Sequence, residues 1–182
     1  MVGIVELVVS IIIVLVAVAL VIWLYFIRQG DAEFEFLVDQ RTGLKLDSIN
    51  SNVAVFSCKV PFVNKGMQDG TIMDCYTRHL LPREQYDGVE LASWLAVETR
   101  PRNDGYFEAL IVPKTTGETL DITLKFTAKD NDIKVALADM VDFSLDIVYQ
   151  VVARREWYIA KQRMIVVADE LIQALNAETT RA

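Results

Sequence analysis

The sequence predicts a mainly β protein: an immunoglobulin-like antiparallel β-sandwich, preceded by one N-terminal transmembrane helix and followed by a short C-terminal helix. Three observations predict it. Residues 7–27 form an apolar run in which Ser10 is the only polar side chain. Beyond residue 33, apolar and polar residues alternate with period two in one segment after another, as in strands with one buried face. Clusters of Gly, Pro, Asn and Asp separate those segments at short intervals, which suits antiparallel strands joined by turns rather than a parallel α/β arrangement.

The apolar run is 21 residues long, and at ~1.5 Å per residue it covers a ~30 Å hydrocarbon layer. A cleaved signal peptide would start with basic residues and carry a shorter apolar stretch of about 7–15 residues before small residues at the cut. Residues 1–6 contain no Lys or Arg. Ala17, Val18 and Ala19 imitate a cleavage tripeptide, yet the apolar run continues through Trp23, Leu24, Tyr25 and Phe26. Trp23 and Tyr25 stand where interfacial aromatics are favoured, before Arg28, Gln29 and Gly30 close the span. Residues 1–28 therefore read as a retained signal anchor, single-pass, embedded in the lipid bilayer through 7–27. No Cys follows in lipobox fashion, so a lipid-modified terminus is not expected. Arg28 and Arg41 follow the span and only the terminal amine precedes it, which by the positive-inside rule favours a cytoplasmic domain. β domains on N-terminal anchors commonly face outward, so both faces fit this chain.

Residues 29–178 are expected to fold as the sandwich domain, with 179–182 as a frayed tail. The chain is 53% hydrophobic and 9% aromatic with only Gly 8 and Pro 4, a composition of folded domains rather than of tails, and ~150 residues can bury one core. Setting Glu6 aside leaves 24 acidic against 18 basic side chains, a net −6. That balance argues against nucleic acid, or an anionic lipid face, as the main partner.

Each element has its own signal. In 33–39, Phe34 and Phe36 lie between charges; in 52–63, Ala54, Phe56, Cys58, Val60 and Phe62 share one face. Asn64 to Gly70 supplies residues that accept positive φ, and the extended pattern resumes over 71–81 until Pro82, so a hairpin is expected about Gly66 and Met67. Val89, Leu91, Leu95 and Val97 mark the next strand, Arg100 to Gly105 a turn, and 106–112 another strand. Ile122, Leu124 and Phe126 alternate with Asp121, Thr123, Lys125 and Thr127 after a loop at 114–118. After Asp132 the spacing of Ile133, Leu137, Met140 and Val141 fits a short helix capped by that aspartate, although Ile133, Val135 and Leu137 would also suit a strand. Phe143, Leu145, Ile147, Tyr149 and Val151 predict a long strand, 157–167 its partner across a turn at Arg154, Arg155 and Glu156, and 169–176 a helix.

Within 53–74, the segment Val53-Ala54-Val55-Phe56-Ser57-Cys58-Lys59-Val60-Pro61-Phe62-Val63-Asn64-Lys65-Gly66, followed by Gly70-Thr71-Ile72-Met73-Asp74, resembles one part of a known domain type. It is similar to the strand, Asn-containing turn and returning strand of late-embryogenesis-abundant, or water-stress WHy-type, β-sandwich domains. Where that family carries Asn-Pro-Asn, this chain has Asn64-Lys65-Gly66. The resemblance implies a non-enzymatic sandwich with envelope or stress-protection associations and no catalytic residue to transfer.

Chemistry-bearing residues are sparse. His79 is the only histidine, so a His-rich metal site is excluded and any triad has one candidate base. Cys58 and Cys75 have neither redox nor zinc spacing; a hairpin about 66 and 67 would set them opposite each other, where either a disulfide or two buried thiols is consistent with the chain. Asp130, Asn131 and Asp132 offer oxygen atoms suited to calcium but lack the spaced carboxylates of a binding loop, so a turn is expected. No catalytic, cofactor-binding or metal residue is assigned, and the chain is not expected to be an enzyme. Two binding signals stand out. Arg154, Arg155, Lys161 and Arg163 gather near Trp157 as a candidate patch for an acidic partner or a lipid headgroup, or as the solvated rim of a hairpin. Gly3, Ser10 and Ala17 recur every seven residues and form a candidate helix–helix stripe for a homo-oligomer.

The expected function is a membrane-anchored, non-catalytic scaffold in a bacterial envelope, recruiting an unidentified protein partner and needing no cofactor. Two alternatives are a ligand-binding or enzymatic domain with a site around Asp74, Arg78 and His79, and an accessory subunit of a membrane complex.

Overall fold

A computed structural model describes residues 2–102, 104–130 and 132–179. Helix α1, Val2–Arg28, is long and apolar enough to cross a membrane, and its residues 3–28 are exposed. Among the described residues nine strands follow: β1 Phe34–Phe36, β2 Lys45–Ile49, β3 Val53–Asn64, β4 Gly70–Leu80, β5 Val89–Val97, β6 Leu110–Val112, β7 Gly117–Ala128, β8 Phe143–Val152 and β9 Tyr158–Val166. Two further α-helices among the described residues are α2 Ile133–Ala138 and α3 Ala168–Thr179. Every pairing is antiparallel. One sheet runs β1-β3-β7-β5, with β2 sharing the β1 side of β3; the other runs β6-β4-β8-β9. The architecture is a β-sandwich with a short C-terminal helix.

Alternation builds the core. Ala54, Phe56, Cys58, Val60 and Phe62 of β3 and Leu120, Ile122, Leu124 and Phe126 of β7 point inward and are buried. They meet Leu145, Ile147, Tyr149 and Val151 of β8 and Val166 of β9 from the opposing sheet. Ring pairs join the layers, Phe36 on Tyr149 at 4.4 Å and Phe126 on Phe143 at 6.2 Å between centroids. Each large side chain buried this way contributes roughly 1.5–3 kcal/mol, so the periodicity of the strands is also the main source of stability.

A proline explains the broken edge. The carbonyl of Pro61 accepts from the Leu37 N–H at 2.8 Å, so the missing proline N–H faces the same side of β3. Opposite it, β1 ends and a 3-10 turn at Val38–Gln40 intervenes before β2 resumes pairing.

Several expectations need correction. The segment 64–70 does not close a hairpin: β3 pairs with β7 and β4 with β8, so the turn carries the chain from one sheet to the other. Cys58 and Cys75 consequently belong to different sheets, and both are buried free thiols. Strand β2 is an addition that the pattern did not reveal, since only Leu46 of its residues is buried. The strand expected over 106–112 is paired only at Leu110–Val112, and the one over 33–39 only at Phe34–Phe36. Helix α2 forms with Asp132 as its cap, whose carboxylate accepts from Lys134 and Val135 N–H. Of the expected tail, Thr179 lies within α3, and 180–182 are outside the described residues.

Candidate functional site

The most elaborated polar structure lies where α1 enters the sandwich. Gly30, at φ +63, turns the chain off the helix and packs on Met67; a Cβ there would come within 3.1 Å of the Met67 Cβ. The Met67 N–H donates to the Asp31 carbonyl and the Lys65 N–H to the Glu33 carbonyl, so the entering chain runs hydrogen-bonded against the β3–β4 turn. Gly66 allows this approach: a Cβ would sit 2.2 Å from the Asp31 carbonyl oxygen.

Asn64 locks the arrangement. It is fully buried, and its Oδ1 accepts from Glu33 N–H at 3.1 Å and Gly66 N–H at 3.0 Å. Its Nδ2 donates to the Gln68 carbonyl at 2.8 Å and the Val112 carbonyl at 3.1 Å. One amide thus satisfies four backbone groups on three segments, all its usual hydrogen-bonding capacity. Asp31 makes the next link. Its carboxylate accepts from the N–H groups of Ala32, Arg154 and Arg155, fastening the β8–β9 turn to the helix exit.

The helix end itself is gripped by the sandwich. Gln68 Nε2 donates to the Gln29 carbonyl at 3.0 Å, and Arg154 Nη1 lies 3.5 Å from the Phe26 carbonyl with its guanidinium over the Phe26 ring. These side chains take up carbonyls that the last helical turn leaves unpaired, and a cation there complements the helix dipole.

The basic patch separates into two parts. Arg154, Arg155 and exposed Trp157 lie in the turn beside α1. Lys161 and Arg163 project from β9 onto Asp146 of β8, at 3.1 and 2.7 Å. The Arg163 hydrogen bonds, with help from Lys161, hold the Asp146 carboxyl down to about 2 against the opposing effect of burial. Lys161 and Arg163 are thereby part of the sheet's own structure, a pairing invisible in the sequence because Asp146 precedes them by 15 and 17 positions.

The Asp74, Arg78 and His79 grouping does not converge. Asp74 and Arg78 are exposed on one face of β4, whereas His79 lies on the other with Cys75 and Thr77. Burial and the Arg83 charge push the imidazole below its ordinary pKa, and its Nδ1 is buried with no hydrogen-bond partner. A cleft of about 500 Å³ beside Arg41, Arg163 and Glu170 and another of about 360 Å³ beside Asn50, Asp132 and Lys134 both lie away from His79. Burial pushes the Cys58 thiol up to about 11 and raises Cys75 as well, so neither side chain is a thiolate at neutral pH. Of the calcium-type triplet, Asp132 is engaged as a helix cap and Asn131 lies outside the described residues. No cluster of three or more His, Cys, Asp or Glu is placed to hold a metal among the described residues.

In α1, Gly3, Ser10 and Ala17 are exposed, and Ser10 Oγ donates to the Glu6 carbonyl one turn earlier. The sequence signal that pointed toward the junction was the Asn64 to Gly70 turn; the roles of Asp31, Gln68 and Arg154 depend on contacts between distant segments.

No protein-family model matches the chain, and no curated protein does. Solved structures similar to it include a Bordetella pertussis protein described as ApaA, at 9% identity over 75% of this chain and 94% of that one, TM-score 0.40. A protein from Archaeoglobus fulgidus is 6% identical over 74% of this chain and 97% of that one, TM-score 0.34. The GAE domain of yeast GGA1 is 8% identical over 70% and 98%, TM-score 0.32.

Proposed function

We propose that this protein is a single-pass, membrane-anchored, non-catalytic interaction module: α1 lies in the bilayer, and a sandwich of immunoglobulin-like shape is presented at its surface to a protein partner. The observation that carries this reading is the junction. Asn64, Asp31 and the Gly66 approach tie the helix exit to three segments of the sandwich. These bonds hold residues 31–33, directly past the helix, and Gln68 and Arg154 extend the grip to the Gln29 carbonyl and to Phe26 in the last turn of α1. A helix serving only as a leader would need no such grip, while a domain held at a set position above a membrane would. An interaction role requires only burial and docking surfaces, and the dispersed polar groups suit it better than catalysis, which needs convergent ones.

The test is extraction. The full chain should remain with membranes through an alkaline carbonate wash and enter solution only with detergent, while the chain lacking residues 1–28 should be soluble with the circular dichroism of a folded β protein. Release of the full chain by carbonate, or a processed N-terminus beginning inside α1, refutes the proposal.

A further inference from the structure

The β8–β9 turn stands beside the last turn of α1 rather than beyond it. The Arg154 guanidinium carbon is 5.4 Å from the centre of the Phe26 ring, and the Arg154 and Arg155 N–H groups bind Asp31, three residues past the helix. Phe26 precedes the helix end by two residues, about 3 Å along the axis at the usual rise. A bilayer that receives the apolar surface of α1 through Ile27 therefore brings the turn to the depth of its headgroups.

What the turn presents there fits that depth. Trp157 is 62% exposed although nothing in the fold requires an indole in solvent, and Met67, also largely exposed, projects beside Gly30 at the same end. Arg154 and Arg155 are exposed, and the carboxylate of Asp31 is directed at backbone N–H groups rather than at their guanidiniums. Glu156 is the acid within the turn itself. Indole rings favour the zone between hydrocarbon and water, and guanidinium groups pair with phosphate oxygens through parallel N–H donors.

We infer that the β8–β9 turn is a second membrane contact, in which Arg155, helped by the guanidinium donors of Arg154 that are not directed at the Phe26 carbonyl, binds the phosphates of phospholipid headgroups and Trp157 seats in the interfacial zone. The inference rests on the reading of α1 as an anchor. It assigns only half of the basic cluster to lipid, because Lys161 and Arg163 are engaged by Asp146. Two points of attachment, the helix and the turn, would fix the tilt of the sandwich as well as its height.

The experiment uses the full chain in vesicles of phosphatidylcholine and phosphatidylglycerol, with or without lipids brominated near the headgroup. Trp23→Phe and Trp23→Phe/Trp157→Phe chains are compared, so that the difference isolates Trp157 while Trp94 in β5 stays untouched. The Trp157 component should lose about half of its emission to shallow bromines, as expected of an interfacial indole, and adding Arg155→Glu should largely restore it. Chains that float with the vesicles but show no quenching of Trp157 overturn the turn's contact and leave the anchor standing. Unchanged quenching in Arg155→Glu overturns the phosphate role, and chains that fail to float overturn the anchor and this inference together.

Discussion

Arg41 and Glu170, 129 residues apart, form a bidentate ion pair at 2.8 and 2.6 Å that closes the open side of the sandwich. Glu170 also accepts from the Leu44 N–H at 2.8 Å, so one carboxylate ties the segment between β1 and β2 to α3, whose Leu171 is fully buried. Removing it frees a helix as well as a charge.

Glu170→Gln should cost about 1.5–3 kcal/mol, the usual size of a hydrogen bond to a charged group, read from the urea midpoint of the chain lacking residues 1–28. The Arg41 hydrogen bonds hold the Glu170 pKa below its ordinary value. The stabilisation is therefore present above the unfolded value of ~4.3 and is lost as pH falls through the lower folded value. Wild-type and Glu170→Gln midpoints should converge in that acid range; a constant difference down to the acid limit would count against the ion pair.

Asn64→Ala should be the more damaging change. It strands two N–H groups and two carbonyls in a buried site, and the expected loss is about 2–4 kcal/mol. Asn64→Asp should not rescue it, because a second carboxylate oxygen would face the Gln68 and Val112 carbonyls. A thermal melt separates these outcomes: an Asn64→Asp chain as stable as wild type at neutral pH would show that the Nδ2 donors contribute nothing.

His79 should make stability fall on mild acidification. Its folded pKa is lowered by burial and then by Arg83, with a smaller opposing effect from the Leu91 backbone. The unfolded chain therefore binds the proton more readily, and stability rises with pH from the folded value up to the unfolded one of ~6.5. Urea midpoints between pH 5 and 7.5 should show this slope in the wild type and a flatter profile in His79→Leu. An equal slope in both chains would assign the effect to other groups.

Much of the fold was legible because local pattern and final environment agree. Ile122, Leu124 and Phe126 alternate with polar residues and are buried at the centre of a sheet, and Asp132 caps α2 as its position suggested. Strand β2 carries no period-two signal, because Lys45, Asp47 and Ser48 surround one buried Leu46, and its pairing comes from β3 rather than from its own periodicity. The residues Asn64 to Gly70 announce a turn but not its topology, since the same residues turn a chain within one sheet or between two.

The residue order alone determined most of the extended segments, the helices and where a membrane-length apolar helix stands, because these depend on periodicity and chain stiffness over a few positions, whereas β2 needed its pairing with β3. Which strands become neighbours, which half of the basic cluster Asp146 engages, and how Asp31 and Asn64 fasten helix to sandwich were decided only in three dimensions. Those contacts join residues up to 124 positions apart, and hydrogen-bond direction and burial at such separations are properties of the packed chain rather than of any local stretch of it.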